Sequence, residues 1–147
     1  MKITRAAEYA VRCVYFLASK DIGLTVNKSE ISLVMEIPEQ FLSKIVQQLS
    51  HSGIVRIIQG PKGGLRLLRD PKEITLLEVV EVIMGKIFLN ECVRHNSSHS
   101  VSVDYCKRKP GCSVHSVWMK AQQELRMTLR MATFKSLIES GTCFDRS

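Results

Sequence analysis

The spacing of apolar positions predicts two helices near the start of the chain. Residues 4–19 carry apolar side chains three and four positions apart, which is the period of an amphipathic helix. Gly23 interrupts this pattern, and Asn27 followed by Glu30 matches a helix N-cap, so a short second helix is predicted after Asn27. The side chains expected to be buried in these two helices are Ala7, Ala10, Val14, Leu17, Ile31, Val34 and Met35.

A proline separates the second helix from a third. Ile37 precedes Pro38 and is therefore disfavoured in the helical region, whereas Pro38 suits the first turn of a new helix. This helix is predicted to end near Ser52, with Gly53 as its C-cap and a buried stripe of Leu42, Ile45, Val46 and Leu49. A short helix, a tight turn and a second helix predict a helix-turn-helix. Its polar outer face carries Glu39, Gln40, Ser43, Lys44, Gln47 and Gln48.

Two β-rich runs follow at residues 54–58 and 65–68, with the glycine-rich segment 59–64 between them. A strand, a glycine-rich turn and a strand predict a hairpin, and a hairpin directly after a helix-turn-helix is a wing. Thr75 and Glu78 then match a second N-cap pattern, which opens a short helix ending at Gly85. The fold class expected is mainly α with a small β-hairpin wing.

The C-terminal third contains one long apolar pattern. Residues 86–112 lack a clear period, and helical spacing returns over residues 113–139 with two apolar stripes. We expect this long helix to pair with its copy in a symmetric homodimer, because the small N-terminal domain alone cannot cover both stripes. The alternative is a helix folded back on its own domain. The two stripes are Val117/Trp118, Ala121, Leu125, Thr128 and Ala132, and Met127, Met131, Phe134 and Leu137/Ile138.

Charge changes the picture by indicating a partner. The net charge of +7 favours a polyanion, and residues 44–72 hold six basic residues against one acidic residue. The predicted third helix and wing therefore place cations where DNA phosphates would lie, and amide and hydroxyl side chains there are candidates for base contacts. The residues predicted to bind DNA are Lys28, Glu39, Gln40, Ser43, Lys44, Gln47, Arg56, Pro61, Lys62 and Gly63.

The chain has five cysteines, and an odd number without a secretory signal argues against a disulfide framework. Cys92, Cys106, Cys112 and His115 form a soft ligand set suited to an iron–sulfur cluster or to zinc. Three of these lie in a polar segment with Lys107, Arg108 and Lys109, whose charges favour thiolates. By contrast, Cys13 and Cys143 are interpreted as small hydrophobic residues.

The sequence is expected to be cytoplasmic and without membrane contact, because it has neither a signal peptide pattern nor a long apolar stretch. It has no substrate-pocket motif, nucleotide fingerprint or nucleophile–base pair, so an enzyme is not expected. An iron–sulfur electron carrier is an alternative, but it would leave the basic wing without a role. A protein-binding adaptor is a further alternative.

These residues resemble the IscR/NsrR/RirA family of winged-helix regulators over nearly the whole chain. The matching pieces are residues 1–4, residues 9–11, residues 37–49, the wing residues 60–65, the segment 112–118 and the three cysteines Cys92, Cys106 and Cys112. The resemblance implies a homodimer that binds a palindromic promoter on double-stranded DNA, usually as a repressor. It also implies a labile cluster, often 2Fe–2S, that senses redox state, iron–sulfur status or nitric oxide.

The resemblance implies Cys92, Cys106 and Cys112 as cluster ligands and offers two residues for the fourth position. His115 matches the arrangement in IscR, whereas Glu8 matches an acidic residue contributed by the partner subunit in other relatives. The expected organisation is a winged helix-turn-helix domain at 1–85, a cluster-binding loop at 86–112, and a dimerisation helix and tail at 113–147. Ser43 stands where IscR has an acidic residue in its recognition helix, so the operator need not match.

A variant within the same functional class keeps the DNA-binding fold but replaces the cluster with zinc or a thiol switch. The sequence does not indicate whether the protein binds DNA with the cluster present or with the cluster absent.

Overall fold

Three short helices begin the chain, and side-chain caps fix where two of them start. The computed structural model describes residues 1–94 and 111–141, and its first helices are α1 (Arg5–Ala18), α2 (Lys28–Val34) and α3 (Glu39–His51). The Thr4 hydroxyl accepts a hydrogen bond from the Ala7 amide at 3.2 Å, and the Asn27 side chain accepts one from the Ser29 amide at 2.8 Å. These bonds satisfy amides that have no partner inside the helix.

The helix-turn-helix predicted from the sequence is confirmed, with one error in its core. All four residues of the α3 stripe are buried, as are Ile31 and Met35 on α2. Val34 was expected beside them but is 54% exposed. It lies on the outward side of the short α2 because the four-residue spacing of Ile31 and Met35 sets the inward side.

The wing is a two-stranded antiparallel hairpin that a third segment extends. Strands β1 (Val55–Ile58) and β2 (Gly64–Leu67) pair Val55 with Leu67 and Ile57 with Leu65. Val26 forms a bridge with Leu65, and the two residues exchange backbone hydrogen bonds of 2.8 Å in both directions. The wing is therefore attached to the residue that precedes the α2 cap.

Gly64 is required at this junction because two backbones approach closely. A Cβ atom at position 64 would lie 2.1 Å from the Val26 carbonyl oxygen, which is far inside van der Waals contact. Since the neighbouring atom is backbone, it cannot move aside without breaking the bridge to Leu65. Only glycine fits here.

After the wing, a 3₁₀ turn (Pro71–Glu73) leads into α4 (Leu76–Met84), which ends at Gly85 as predicted. The Thr75 hydroxyl accepts a hydrogen bond from the Glu78 amide at 3.1 Å and so caps α4. The short helix α5 (Glu91–Arg94) precedes the segment outside the described residues, and α6 (Ser113–Met131) and α7 (Phe134–Ser140) follow that segment.

The single helix predicted over residues 113–139 is wrong, because the chain leaves helical geometry at Ala132 and Thr133. The Ala132 carbonyl accepts a hydrogen bond from the Leu76 amide at 2.8 Å, and the Phe134 amide donates to the Ile74 carbonyl at 3.0 Å. Leu76 is the first residue of α4 and Ala132 follows the last residue of α6, so each supplies a partner that a helix end lacks. Thr133 then caps α7 through a reciprocal pair with Ser136.

This interruption divides the two predicted apolar stripes between different surroundings. Phe134 is fully buried in the main core, where Leu137 and Ile138 also pack, whereas Leu125 and Leu129 pack against a cluster that includes Leu77. The part of the chain after Thr133 therefore folds back, as the alternative interpretation of the sequence expected. An apolar surface on α6 stays exposed and comprises Val114, Val117, Trp118, Met127 and Met131.

Within the described residues, no helix combines the length and the hydropathy needed to cross a lipid bilayer.

The buried Phe134 side chain provides a test of the fold. Phe134→Ala should lower the free energy of unfolding by about 3–5 kcal/mol, because it removes a large side chain from a packed core. Leu33 is 81% exposed, so Leu33→Ala is a control that should change stability by less than about 0.5 kcal/mol. Chemical denaturation at a fixed protein concentration measures both, and equal losses in the two variants would contradict the folded-back position of α7.

Candidate nucleic-acid interface and cysteine region

The turn between α2 and α3 is held by polar contacts from two other elements. The Arg12 guanidinium on α1 donates to the Met35 carbonyl at 3.2 Å, and the Ser32 hydroxyl donates to the Ile37 carbonyl at 2.6 Å. Glu36 has a positive φ of 54°, which lets the chain reverse within a few residues. The orientation of α3 relative to α2 is therefore fixed by bonds rather than by packing alone.

The outer face of α3 presents the polar side chains that the sequence predicts for DNA contact. Glu39, Gln40, Lys44 and Gln47 are exposed, whereas Ser43 is half-buried. The reason is a contact with α2: the Lys28 ammonium donates to the Ser43 hydroxyl oxygen at 2.5 Å. The Ser43 hydroxyl in turn donates to the Glu39 carbonyl at 3.0 Å. Lys28 thus lies against α3.

The three residues predicted to bind DNA at the wing tip differ in their structural roles. Pro61 and Lys62 are exposed at the turn. Gly63 closes the turn, because its amide donates to the Gly60 carbonyl at 2.9 Å, and a Cβ atom there would lie 2.2 Å from the Ile58 carbonyl oxygen. The structure therefore gives Gly63 a reason to be glycine that does not involve DNA.

Two arginines stand directly opposite each other on the wing. The strand register pairs Arg56 with Arg66, and Arg56 is exposed. Like charges in opposite positions destabilise a hairpin, so this pair lowers the stability of the isolated protein. An anion placed between them would relieve the repulsion.

The six basic residues of segment 44–72 divide into two groups, those that form an ion pair within the fold and those that do not. Arg69 binds Glu78 on α4 through two hydrogen bonds, and this hydrogen bonding raises the pKa of the Arg69 guanidinium. Lys72 lies 3.7 Å from the Asp70 carboxylate. Both cations are therefore partly neutralised within the fold. Among the residues that the structure describes, Lys44, Arg56, Lys62 and Arg66 have no ion-pair partner.

The predicted metal ligands lie on elements that pack together. Cys92 is on α5, Cys112 occupies the N-cap position of α6, His115 follows in the first turn of α6, and α5 packs against α6. Cys92, Cys112 and His115 are half-buried. Cys106 and Cys143 lie outside the described residues, and within the described part no three metal-binding side chains form a ready-made site.

Glu8 and Cys13 both lie on α1 but differ in exposure. Glu8, predicted as a ligand donated to a partner subunit, is exposed on α1 and lies 3.5 Å from the Arg5 guanidinium. Cys13 is completely buried on α1, and this burial raises the pKa of its thiol to about 12. The interpretation of Cys13 as a small hydrophobic residue is confirmed.

Gln122 fastens the segment before Cys92 to α6, and sequence reasoning missed it. Its side chain is only 6% exposed, accepts a hydrogen bond from the Leu89 amide at 2.9 Å and donates to the Ile87 carbonyl at 2.8 Å. We call this pair of bonds the Gln122 clamp. Since Ile87 and Leu89 lie just before α5, the clamp fixes where the Cys92 helix begins.

A second contact completes this attachment from the other side. The Glu81 carboxylate on α4 accepts from the Ile87 amide at 3.1 Å and binds the Arg126 guanidinium on α6. Glu78, which binds Arg69, lies three residues earlier on α4, so the two carboxylates occupy adjacent turns. One helix thereby connects the wing to the helix that carries Cys112.

Comparisons with known proteins place the chain among transcriptional regulators. A family model named Rrf2 and described as an iron-dependent transcriptional regulator matches residues 3–140. The HTH-type transcriptional regulator NsrR of Geobacillus kaustophilus is 34% identical over 107 residues, which are 73% of this chain and 73% of that protein.

Solved structures confirm the winged-helix fold. The chain is similar to CymR, described as the global cysteine regulator of B. subtilis, with a TM-score of 0.77 at 20% identity over 97% of this chain and 99% of that one. It is also similar to IscR of T. potens, with a TM-score of 0.71 at 20% identity over 95% of this chain and 88% of that one.

A substitution of Gln122 tests the Gln122 clamp, and the same substitution of the adjacent Gln123 is the control. Gln122→Leu should lower the free energy of unfolding, because the Ile87 carbonyl and the Leu89 amide lose their partner at about 1–3 kcal/mol each. The Leu89 amide should also exchange faster with deuterium, since its protection depends on this bond. Gln123 is exposed, so Gln123→Leu is the matched control and should change neither quantity. Unchanged exchange at Leu89 in Gln122→Leu would argue against the clamp.

Proposed function

The chain belongs to the Rrf2 family of transcriptional regulators, and from this premise we propose that it represses a palindromic promoter as a homodimer whose affinity for double-stranded DNA depends on an iron–sulfur cluster. The family establishes a transcriptional regulator of the NsrR, IscR and CymR type rather than an enzyme. The residues that carry the DNA contacts, the dimer and the cluster are the proposed part.

The single observation that best supports the DNA-binding surface is the charge arrangement on the wing. Arg56 and Arg66 face each other across the hairpin, and Lys62 is exposed at its tip. This arrangement costs stability in the free protein but matches a row of phosphates. The exposed α3 residues Gln40, Lys44 and Gln47 would then enter the major groove, as in other helix-turn-helix proteins.

The exposed apolar surface of α6 supports a homodimer. One side of α6 packs against α4, while Val117, Met127 and Met131 on other positions stay at 60% exposure or more. Val114, Val117 and Trp118 lie three and four positions apart on the same helix and form one exposed apolar patch, which a second copy of the helix would cover symmetrically. A dimer also matches the two half-sites of a palindrome.

The chemistry of the donor set fits an iron–sulfur cluster. Cys92 and Cys112 supply thiolates, His115 supplies an imidazole one turn into α6, and Cys106 belongs to the segment outside the described residues. Cysteine thiolates ligate 2Fe–2S clusters, and in some of these clusters histidines replace part of the cysteines. When bound, such a cluster supplies a redox-active centre that responds to oxidants, nitric oxide or iron–sulfur status. His115 and the partner's Glu8 remain the two candidates for the fourth ligand.

The residues of this chain would convert a change at the cysteines into a change at the wing. Cys92 follows shortly after residues 87–89, which the Gln122 clamp holds. The Ile87 amide in this segment also donates to the Glu81 carboxylate on α4. Glu78, one turn away on the same helix, binds Arg69 at the end of the wing. A shift of α5 or of the start of α6 would therefore act on α4, which is shared by both connections.

The DNA-binding surface predicts opposite effects of one substitution on stability and affinity. Arg56→Ala should raise the free energy of unfolding by roughly 0.2–1 kcal/mol, because it removes the like-charge pair with Arg66. The same variant should bind operator DNA more weakly, and the slope of log affinity against log salt should become less steep by about 0.9.

Lys135→Ala is the charge-matched control, because Lys135 lies on α7 and pairs with Glu139 at 3.9 Å. It should leave the salt slope unchanged. Thermal unfolding and fluorescence anisotropy at several salt concentrations measure the two quantities. An Arg56→Ala variant with an unchanged slope would remove the wing from the DNA contact.

The cluster assignment predicts a loss of visible absorbance on removal of one ligand. Cys112→Ala in anaerobically purified protein should abolish the absorbance and change the affinity for operator DNA. Cys13→Ala removes a buried thiol that is not a proposed ligand, so it should leave the absorbance in place. Iron, sulfide and zinc analysis of the wild type separates a cluster from a zinc site or a metal-free thiol switch. A coloured Cys112→Ala protein with unaltered DNA binding would refute the cluster assignment.

A further inference from the structure

The contact between Lys28 and Ser43 changes which of these side chains can read a base. A serine hydroxyl has one proton to donate, and that of Ser43 is directed to the Glu39 carbonyl at 3.0 Å. The Ser43 oxygen also accepts a hydrogen bond from the Lys28 ammonium at 2.5 Å. Ser43 is therefore occupied within the protein and has no proton left for a base.

Lys28 has the donors that Ser43 lacks. An ammonium group carries three N–H donors, and the contact with Ser43 uses one of them. Two donors remain on a positive charge that lies at the middle of the polar face of α3. Gln40 and Gln47 flank position 43 on this face, three residues before it and four residues after it, and both are exposed. The ammonium is thus placed among the side chains proposed to face the major groove.

We propose that Lys28 is a specificity-determining residue that selects a guanine in each half-site, and that Ser43 is the positioning residue that holds its ammonium over the recognition helix. This inference rests on the proposed DNA-binding function and deepens it. Guanine presents two neighbouring acceptors, N7 and O6, in the major groove, which match two N–H donors on one cation. Adenine and cytosine each present a donor there, which an ammonium group cannot accept.

The alternative role for Lys28 is a phosphate contact, because the first helix of a helix-turn-helix crosses the DNA backbone. A lysine that binds phosphate is expected to extend away from its own protein into solvent. Lys28 is instead half-buried, and its ammonium is bonded to the second helix. The contact thus directs the charge toward the base-reading helix, which favours base selection over backbone binding.

The experiment selects preferred sites from random duplex DNA at one fixed salt concentration. It compares the wild type with Lys28→Met, Ser43→Ala and Ser43→Thr, after circular dichroism confirms that each is folded. The wild type should require a G·C pair at one symmetric position of each half-site. Lys28→Met should lose roughly 5- to 150-fold of the preference at that position and keep the preferences elsewhere, because this is the discrimination that one good base contact supplies.

Ser43 tests the positioning role. Ser43→Ala should weaken the preference for guanine at the same position, since the ammonium loses the oxygen that holds it. Ser43→Thr keeps the hydroxyl and should retain the preference. Equal behaviour of the alanine and threonine variants would overturn the positioning role.

Lys62→Met is the control for a backbone contact, because Lys62 is exposed at the wing tip. It should weaken all sequences alike and leave the base preferences intact. If Lys28→Met behaves in this way, or retains the guanine preference, the specificity proposal is wrong although the DNA-binding function stands. A wild type without salt-dependent DNA binding overturns both.

Discussion

The antiparallel bridge between Thr75 and Thr133, formed by backbone hydrogen bonds from Leu76 to Ala132 and from Phe134 to Ile74, is the constraint on which the rest of the arrangement depends. It joins the start of α4 to the point where α6 ends, so the last carbonyl of one helix meets the first amide of another. Phe134 then enters the core next to this crossing. Because the crossing fixes one end of α6 against α4, the bonds of Glu81 and Gln122 can form further along the same helix.

Local patterns in the sequence predicted most of the DNA-binding unit. The caps at Asn27 and Thr75, the stripe of α3 and the glycine-rich hairpin depend on residues close together in the chain, so periodicity and turn chemistry identify them. The helix break at Ala132 was not predictable in this way. Phe134 keeps the helical period of the residues before it, and the break comes from a pairing with residues almost sixty positions earlier.

The candidate site shows the same division between local and distant information. Gln122 and Gln123 are adjacent and chemically identical, and only the position of residues 87–89 makes the first a clamp and the second a surface residue. In the sequence, Arg69 counts among the basic residues of segment 44–72. In the fold, Arg69 binds Glu78 on α4, so its charge is partly neutralised. The assignment of soft ligands to Cys92 and Cys112 rests on residue type and resemblance. These two assignments stay predictions.

The bridge between Val26 and Leu65 has a consequence for the separation between the two parts of the surface proposed to bind DNA. Val26 directly precedes the cap of α2, and Leu65 lies within the wing, so one pair of backbone bonds joins the two ends of the contact surface. The distance from α3 to the wing tip is therefore fixed by these backbone bonds and does not depend on a flexible hinge. In the proposed homodimer, each copy would present α3 and the wing to DNA at a fixed separation, and any tolerance in the length of a bound site would arise between the two copies.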